Sequence, residues 1–287
     1  MAVIIIKKPK AYCRLMRLHK PIGIILLFWP MMWALWIAAN GTPPIKELLI
    51  FTLGTIMMRS AGCVINDIAD RKIDLHVERT KERPLTTGEV SLKEALVLFI
   101  ILTLLSFLLV LLLNKMTIAM SFIAIALASI YPFCKRFTYL PQLFLGLAFG
   151  WAVPMAFTAI LNKLPFIAWL LYLATIIITI CYDTMYAMVD RDDDLKIGVK
   201  STAILFNRYD KIIIAVLQII FIALMIIIGA MMDMNIGYYS FLSAAALLFI
   251  YQGYLIKDRD KKNCFRAFLN NHWTGMLIFS GIFLELY

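Results

Sequence analysis

Long apolar runs, broken at short intervals by compact polar segments, dominate this chain. About 20 apolar residues cross the hydrocarbon of a bilayer when coiled as a helix. Runs of that kind fall at 21–40, 47–65, 93–113, 117–133, 140–161, 164–182, 212–230, 236–256 and 271–287. The pattern predicts an all-α polytopic membrane protein, with about nine transmembrane helices in one bundle. Residues 1–287 read as a single membrane-embedded domain with little soluble mass outside it. The helix of run 164–182 is a candidate for extension into the polar stretch that follows it.

The polar segments are unequal in charge, and this orients the bundle. With the N-terminus placed in the cytoplasm, 24 of the 28 Lys and Arg fall on the cytoplasmic side, and Lys46, Lys115 and Lys163 on the other. Arg59 alone lies inside a span. The positive-inside rule then predicts a cytoplasmic N-terminus and an external C-terminus. The net charge of +10 reflects this orientation, because the cations are spread over five segments rather than gathered on a nucleic-acid-binding face. Apolar residues make up 62% of 287, with mean hydropathy +0.85, which excludes an ordinary soluble domain. Cys13, Cys63, Cys134, Cys181 and Cys264 lack metal-type spacing and fit a reduced compartment without disulfides. The start, Met1 to Lys10, lacks the order of a cleavable signal peptide, so the first span reads as retained.

Two acidic segments carry the candidate chemistry. The stretches 66–94 and 183–211 hold 13 of the 18 Asp and Glu, and each follows a long apolar run at the cytoplasmic end. Their separation by four spans suggests a duplicated multi-helix unit. At about 100° per residue, with Asp67 at 0°, Asp70 falls at about 300°, Asp74 at about 340° and Asn66 at about 260°. Arg59 joins the same face. In the second segment Asp183, Tyr186, Asp190 and Asp194 share one face, Asp192 points away and Asp193 sits at its margin.

A single aspartate at a helix end is ordinarily a cap or a solvated residue, and charges beside Lys or Arg form surface pairs of small worth. Two face-restricted clusters on one side of a membrane are a different matter, since carboxylates there are costly. Hard carboxylate oxygens suit Mg²⁺, which binds through one or two of them and takes phosphate oxygens and water for the rest. Opposed across a bundle, the two faces suit a metal-bound diphosphate, a good leaving group once its charge is neutralised. Arg79, Lys81, Arg83, Lys135 and Lys200 stand near enough in sequence to contact phosphate. Arg59 is either a structural partner of a cluster aspartate or an anchor for an anionic group.

Other features read as structural. The rings of Phe28, Trp29, Trp33, Trp36, Phe144, Phe149 and Trp151 suit packing and interfacial belts, though rings that line a cation's path would stabilise it. Gly146, Gly150 and Pro154 predict a bend or a close helix approach in the fifth span. His19, His76 and His272 form no metal constellation, and the 16 methionines fill apolar gaps.

At the acidic segments the chain resembles the UbiA superfamily of intramembrane prenyltransferases. Asn66-Asp67-x-x-Asp70-x-x-x-Asp74 is followed by Arg79-Thr80-x-x-Arg83-Pro84. The second motif is Asp183-x-x-Tyr186-x-x-x-Asp190-x-x-x-Asp194, followed by Lys200. Arg14–Gly23, Tyr131–Gln142 and Leu145–Ala156 make the chain most similar to the branch that prenylates 4-hydroxybenzoate in ubiquinone biosynthesis. His19 stands where that branch often has Asp. The resemblance implies that Asp70, Asp74, Asp190 and Asp194 bind Mg²⁺ on a polyprenyl diphosphate, supported by Asn66, Asp67 and Asp183. It further implies Arg79, Arg83 and Lys135, with Lys200, at the diphosphate. Arg59, Asn66 and Tyr186 are the candidates to hold the aromatic acid. The expected reaction joins the prenyl group to the ring carbon ortho to the hydroxyl and meta to the carboxylate. The resemblance also implies a bacterial inner-membrane location, with the donor tail in an apolar channel open to membrane lipid, and no obligate protein partner is predicted. Relatives acting on haem, a naphthoate or homogentisate, and an ion-coupled transporter, remain the alternatives at this point.

Overall fold

The computed structural model describes residues 8–71, 74–76 and 80–287. It is helical throughout these residues. A short helix α1 (Pro9–Leu15) leads into α2 (Ile22–Ala39) and α3 (Ile45–Asp70). These are followed by α4 (Leu92–Val110), α5 (Lys115–Phe137), the pair α6 (Pro141–Gly150) and α7 (Ala152–Leu161), and α8 (Phe166–Ile197). The chain ends with α9 (Thr202–Phe206), α10 (Asp210–Met231), α11 (Ile236–Leu255) and α12 (Lys261–Leu286).

Among the described residues nine long segments are helical, as expected, but eight of them are both long and apolar enough to cross a membrane. The exception is α12, which begins ten residues earlier than the run at 271–287. Its polar residues have a use inside the bundle. Gln252 of α11 is fully buried and bonds Gln218 of α10 at 2.9 Å and Asn270 of α12 at 3.0 Å. Buried amides must be hydrogen-bonded where no water reaches them. The polarity of α12 is therefore what ties three helices together.

The core sits along α8, which packs against α6, α10 and α12, while α2 packs against α7 and α12. By contrast, α4 and α5 have few buried residues and turn Leu104, Leu105, Leu108 and Phe122 outward. Such an apolar exterior suits lipid. A second apolar cluster joins Tyr12 and Leu15 of α1 to Ala61 and Val64 of α3 and Ala95 and Leu98 of α4. The start of α4 is set by a capping box in which Ser91 accepts from the Glu94 backbone at 3.3 Å and Glu94 accepts from Ser91 N at 2.7 Å. Tyr12 Oη reaches the same glutamate at 3.0 Å.

The break expected in the fifth span lies at Trp151, between α6 and α7, just ahead of Pro154. The close approach is real as well. A Cβ on Gly146 would stand 3.1 Å from the Ile176 carbonyl oxygen of α8, and one on Gly150 would stand 3.0 Å from the Tyr172 ring. Tyr172 Oη seals the contact by donating to the Leu147 carbonyl at 3.0 Å. Because the Gly146 contact is with backbone, Gly146→Val has to push α6 off α8. We expect it to destabilise the protein by about 1–3 kcal/mol, read as a lowered thermal midpoint in detergent, whereas Gly62→Ala, with open space at its Cβ, should leave the midpoint in place.

Candidate functional site

The two acidic segments arrive at one cavity of about 530 Å³. Its wall includes Arg59, Asn66, Asp67, Asp70, Asp74, Arg83, Lys135, Asp183, Tyr186, Asp190, Asp194 and Lys200. The residues singled out from the sequence for a catalytic, metal, diphosphate or acceptor role are therefore gathered here, except Lys81, which is exposed and does not line the cavity, and Arg79, which lies outside the described residues.

The two segments are presented differently. The second rides on α8, a helix of 32 residues that runs on past the apolar run, as anticipated. Asp183, Tyr186, Asp190 and Asp194 are half-buried on the cavity side. Asp192 is exposed and pairs with Lys261 at 3.6 Å, and Asp193 pairs with Lys196 at 3.5 Å, so the helical phase sorts the acidic run correctly. The first segment departs from the expected single helical face. The helix α3 ends at Asp70, and Asp74 sits in a separate 3-10 turn, Asp74–His76. Side-chain bonding brings Asp74 back to the cavity, since Arg83 Nη1 donates to it at 2.8 Å and Thr80 Oγ1 donates to its carbonyl at 3.1 Å.

Asp67, Asp70 and Asp74 are 2%, 2% and 4% exposed. Carboxylates this buried need partners. Asp67 receives both its oxygens' bonds from Arg17 Nη2, at 2.8 and 2.9 Å, and a third from Arg83 Nη1 at 3.0 Å. Asp70 Oδ2 accepts from Asn66 Nδ2 at 3.0 Å and pairs with Lys135. Its other oxygen, Oδ1, is buried with no hydrogen-bond partner among the described residues. Asp67 is thus already engaged by two guanidinium groups, while Asp70 keeps a lone pair to spare.

Arg17 is the residue that sequence reasoning missed. It registers as a cytoplasmic charge within the stretch Arg14–Gly23 and receives no site role, yet it holds the left-handed backbone conformation at φ 59° and reaches fifty residues along the chain to Asp67. A non-glycine residue in that region stores strain, and such strain collects at functional sites. Beside it, loss of water around the ring and the charges of Lys20 and Arg17 hold the His19 imidazole below its usual pKa. Near neutral pH it therefore stays uncharged. Lys200 reaches the Phe137 carbonyl at 3.3 Å and lies 5.3 Å from the Tyr139 ring centre, while its backbone N donates to the Lys135 carbonyl at 3.1 Å. That bond links the segment after α8 to the end of α5. Arg59 projects from the middle of α3, with its guanidinium carbon 5.2 Å from the centre of the Phe149 ring.

Among the described residues, seven Asp and Glu and seven Lys and Arg line the cavity. The wall is close to neutral, so it has no surplus positive charge to hold a polyanion by itself.

Comparison with known proteins matches these features. The UbiA prenyltransferase family model covers residues 27–279. The chain belongs to the UbiA prenyltransferase family. A curated relative, 4-hydroxybenzoate octaprenyltransferase of Providencia stuartii, is 57% identical over 98% of this chain and 97% of its own. Among solved structures, the apo UbiA homologue of Aeropyrum pernix K1 superposes with a TM-score of 0.80 at 25% identity, covering 92% of this chain and 98% of that one. A UbiA homologue of Archaeoglobus fulgidus, bound to GPP and Mg²⁺, shares the fold with a TM-score of 0.73 at 18% identity over 95% and 99% of the two chains. Family membership removes the ion-coupled transporter from consideration.

The Arg83 guanidinium is the shared partner of two buried carboxylates. Arg83→Leu should therefore cost about 3–5 kcal/mol, the usual penalty for orphaning a buried charge. The check is thermal unfolding in detergent, where Arg14→Ala, which removes a partner of the exposed Glu89, should shift the midpoint far less.

Proposed function

We propose that this chain transfers a polyprenyl group from polyprenyl diphosphate to 4-hydroxybenzoate, in ubiquinone biosynthesis, at the ring carbon ortho to the hydroxyl. The observation that carries this reading is the 57% identity, over nearly the whole of both chains, with a 4-hydroxybenzoate octaprenyltransferase. The octaprenyl length of that relative's name is the length we assign to the donor. Residues 1–287 act as one membrane-embedded unit in the inner membrane, with the N-terminus and the site toward the cytoplasm. The reading of orientation rests on the charge bias of the polar segments.

The residues present fit Mg²⁺. The donors are hard carboxylate oxygens, and Asp70 Oδ1 is a buried acceptor without a partner among the described residues. Among the described residues no three acidic, His or Cys side chains form a ready metal cluster. That agrees with an ion that takes much of its shell from substrate and water. Asp70, Asp74, Asp190 and Asp194 would hold it, with Asn66, Asp67 and Asp183 in support. When bound, Mg²⁺ neutralises the charge that grows on the diphosphate as it leaves.

The chain's own residues supply the rest. Arg83, Lys135 and Lys200, with Arg79, contact the diphosphate oxygens. The donor tail lies along the apolar wall, where Leu145, Phe265 and Phe268 exclude water. The prenyl C1–O bond breaks with its electron pair going to the diphosphate, and the ring carbon forms the new bond to C1. The ring proton then leaves to a cluster carboxylate. Arg59 holds the carboxylate of the aromatic acid, with Asn66 and Tyr186 beside it, so that the carbon ortho to the hydroxyl meets C1.

Membranes containing the protein should convert labelled 4-hydroxybenzoate and a prenyl diphosphate to a prenylated acid, and EDTA should stop the reaction. Asp70→Asn and Asp190→Asn should each lower turnover by roughly two orders of magnitude or more, as loss of a group acting on transition-state charge does. Retained turnover in both would contradict the assignment of these carboxylates.

A further inference from the structure

The Arg59 guanidinium has two walls. One is the Phe149 ring, 5.2 Å from Cζ and within cation–π reach. The other is Gly23, in the first turn of α2. A methyl group at Gly23 would stand 2.5 Å from both Nε and Nη2 of Arg59 and 2.9 Å from Cζ. Those separations are well inside van der Waals contact, and the guanidinium has the ring behind it. The backbone does not ask for glycine at this place. Gly23 is helical and has no positive φ, so alanine is the better helix former there. What requires the missing side chain is the guanidinium.

The guanidinium is also short of partners. Nε is buried and has no hydrogen-bond partner among the described residues. Burying a charge inside a span is costly unless something answers it. Here the group is held by shape and by a ring, with the Asp183 carboxylate near enough to act on its charge, and its Nε is left for a ligand. Gly23, Arg59 and Phe149 all line the cavity.

We propose that Gly23 and Phe149 are positioning residues for Arg59, and that this seat sets the preference for an acidic over a neutral phenol. The proposal rests on the reading of Arg59 as the anchor of the acceptor's carboxylate. A guanidinium recognises a carboxylate through a planar fork whose direction matters. Any side chain at residue 23 turns that fork away from its present direction. Loss of Phe149 leaves it free to wander. Neither Gly23 nor Phe149 is among the diphosphate-binding residues Arg83, Lys135 and Lys200 or the aspartates of α8.

The test uses the full chain in detergent or nanodiscs, with a saturating prenyl diphosphate. KM is measured for 4-hydroxybenzoate and for the uncharged 4-hydroxybenzamide, in wild type, Gly23→Ala, Phe149→Leu, Phe149→Tyr and Arg59→Gln. Gly23→Ala and Phe149→Leu should raise KM for the acid by about tenfold, the scale of one charge-assisted hydrogen bond. Both should leave KM for the amide within about twofold and so compress the selectivity ratio, while Phe149→Tyr, which keeps the ring, retains it. An unchanged KM for the acid in Gly23→Ala, with a raised KM in Arg59→Gln, would overturn the seat and spare the anchor. An unchanged KM in Arg59→Gln would remove the anchor and the seat with it. Equal rises for acid and amide in Gly23→Ala would also overturn the proposal, because general damage to the site does not discriminate charge.

Discussion

A carboxylate shut away from water must find a cation or give up its charge, and Asp67 is where this protein meets that demand. Its two oxygens take three hydrogen bonds, from Arg17 ahead of the first span and from Arg83 in the loop beyond α3. Arg83 also holds Asp74. Three stretches of chain far apart in sequence are pinned at one point. The loop after α3 is folded back over the cavity by these bonds, and Asp74, which is no longer on the helix, faces the same space as Asp70. Asp67 then looks less like a metal ligand than like the residue that organises the others. We assign it the supporting role on that ground.

The opposite wall needs no such device. The helix α8 is long, rigid and buried along much of its length, so the phase of an ideal helix suffices to aim Asp183, Asp190 and Asp194. The near balance of acidic and basic side chains around the cavity has a further consequence. Among the described residues the wall has no surplus of positive charge, which favours the proposed reading that divalent metal accompanies the diphosphate.

Much of this was legible in the residues. Apolar runs of membrane length gave the helices, and the 100° step separated Asp190 and Asp194 from Asp192, which the structure turns outward. The step failed between Asp70 and Asp74, because it presumes a helix that the chain does not continue. The polarity of α12 lowered its apolar signal, since its Asn270 answers the buried Gln252 of α11, which in turn holds Gln218 of α10. Arg17 and Gly23 stood inside the stretch Arg14–Gly23 that resembles the family, but nothing in the residues themselves said what either one touches. Their meaning lies in contacts across fifty and thirty-six residues of sequence, with Asp67 and Arg59, and such contacts are a property of the fold.

The central claim is that two acidic segments on separate helices share one metal–diphosphate site. Electron paramagnetic resonance of Mn²⁺ in place of Mg²⁺, with an unreactive prenyl thiolodiphosphate, tests it directly. The account predicts tightly bound Mn²⁺ that depends on the analogue and disappears in Asp70→Asn and in Asp190→Asn alike. Mn²⁺ binding that survives either substitution undiminished would contradict it.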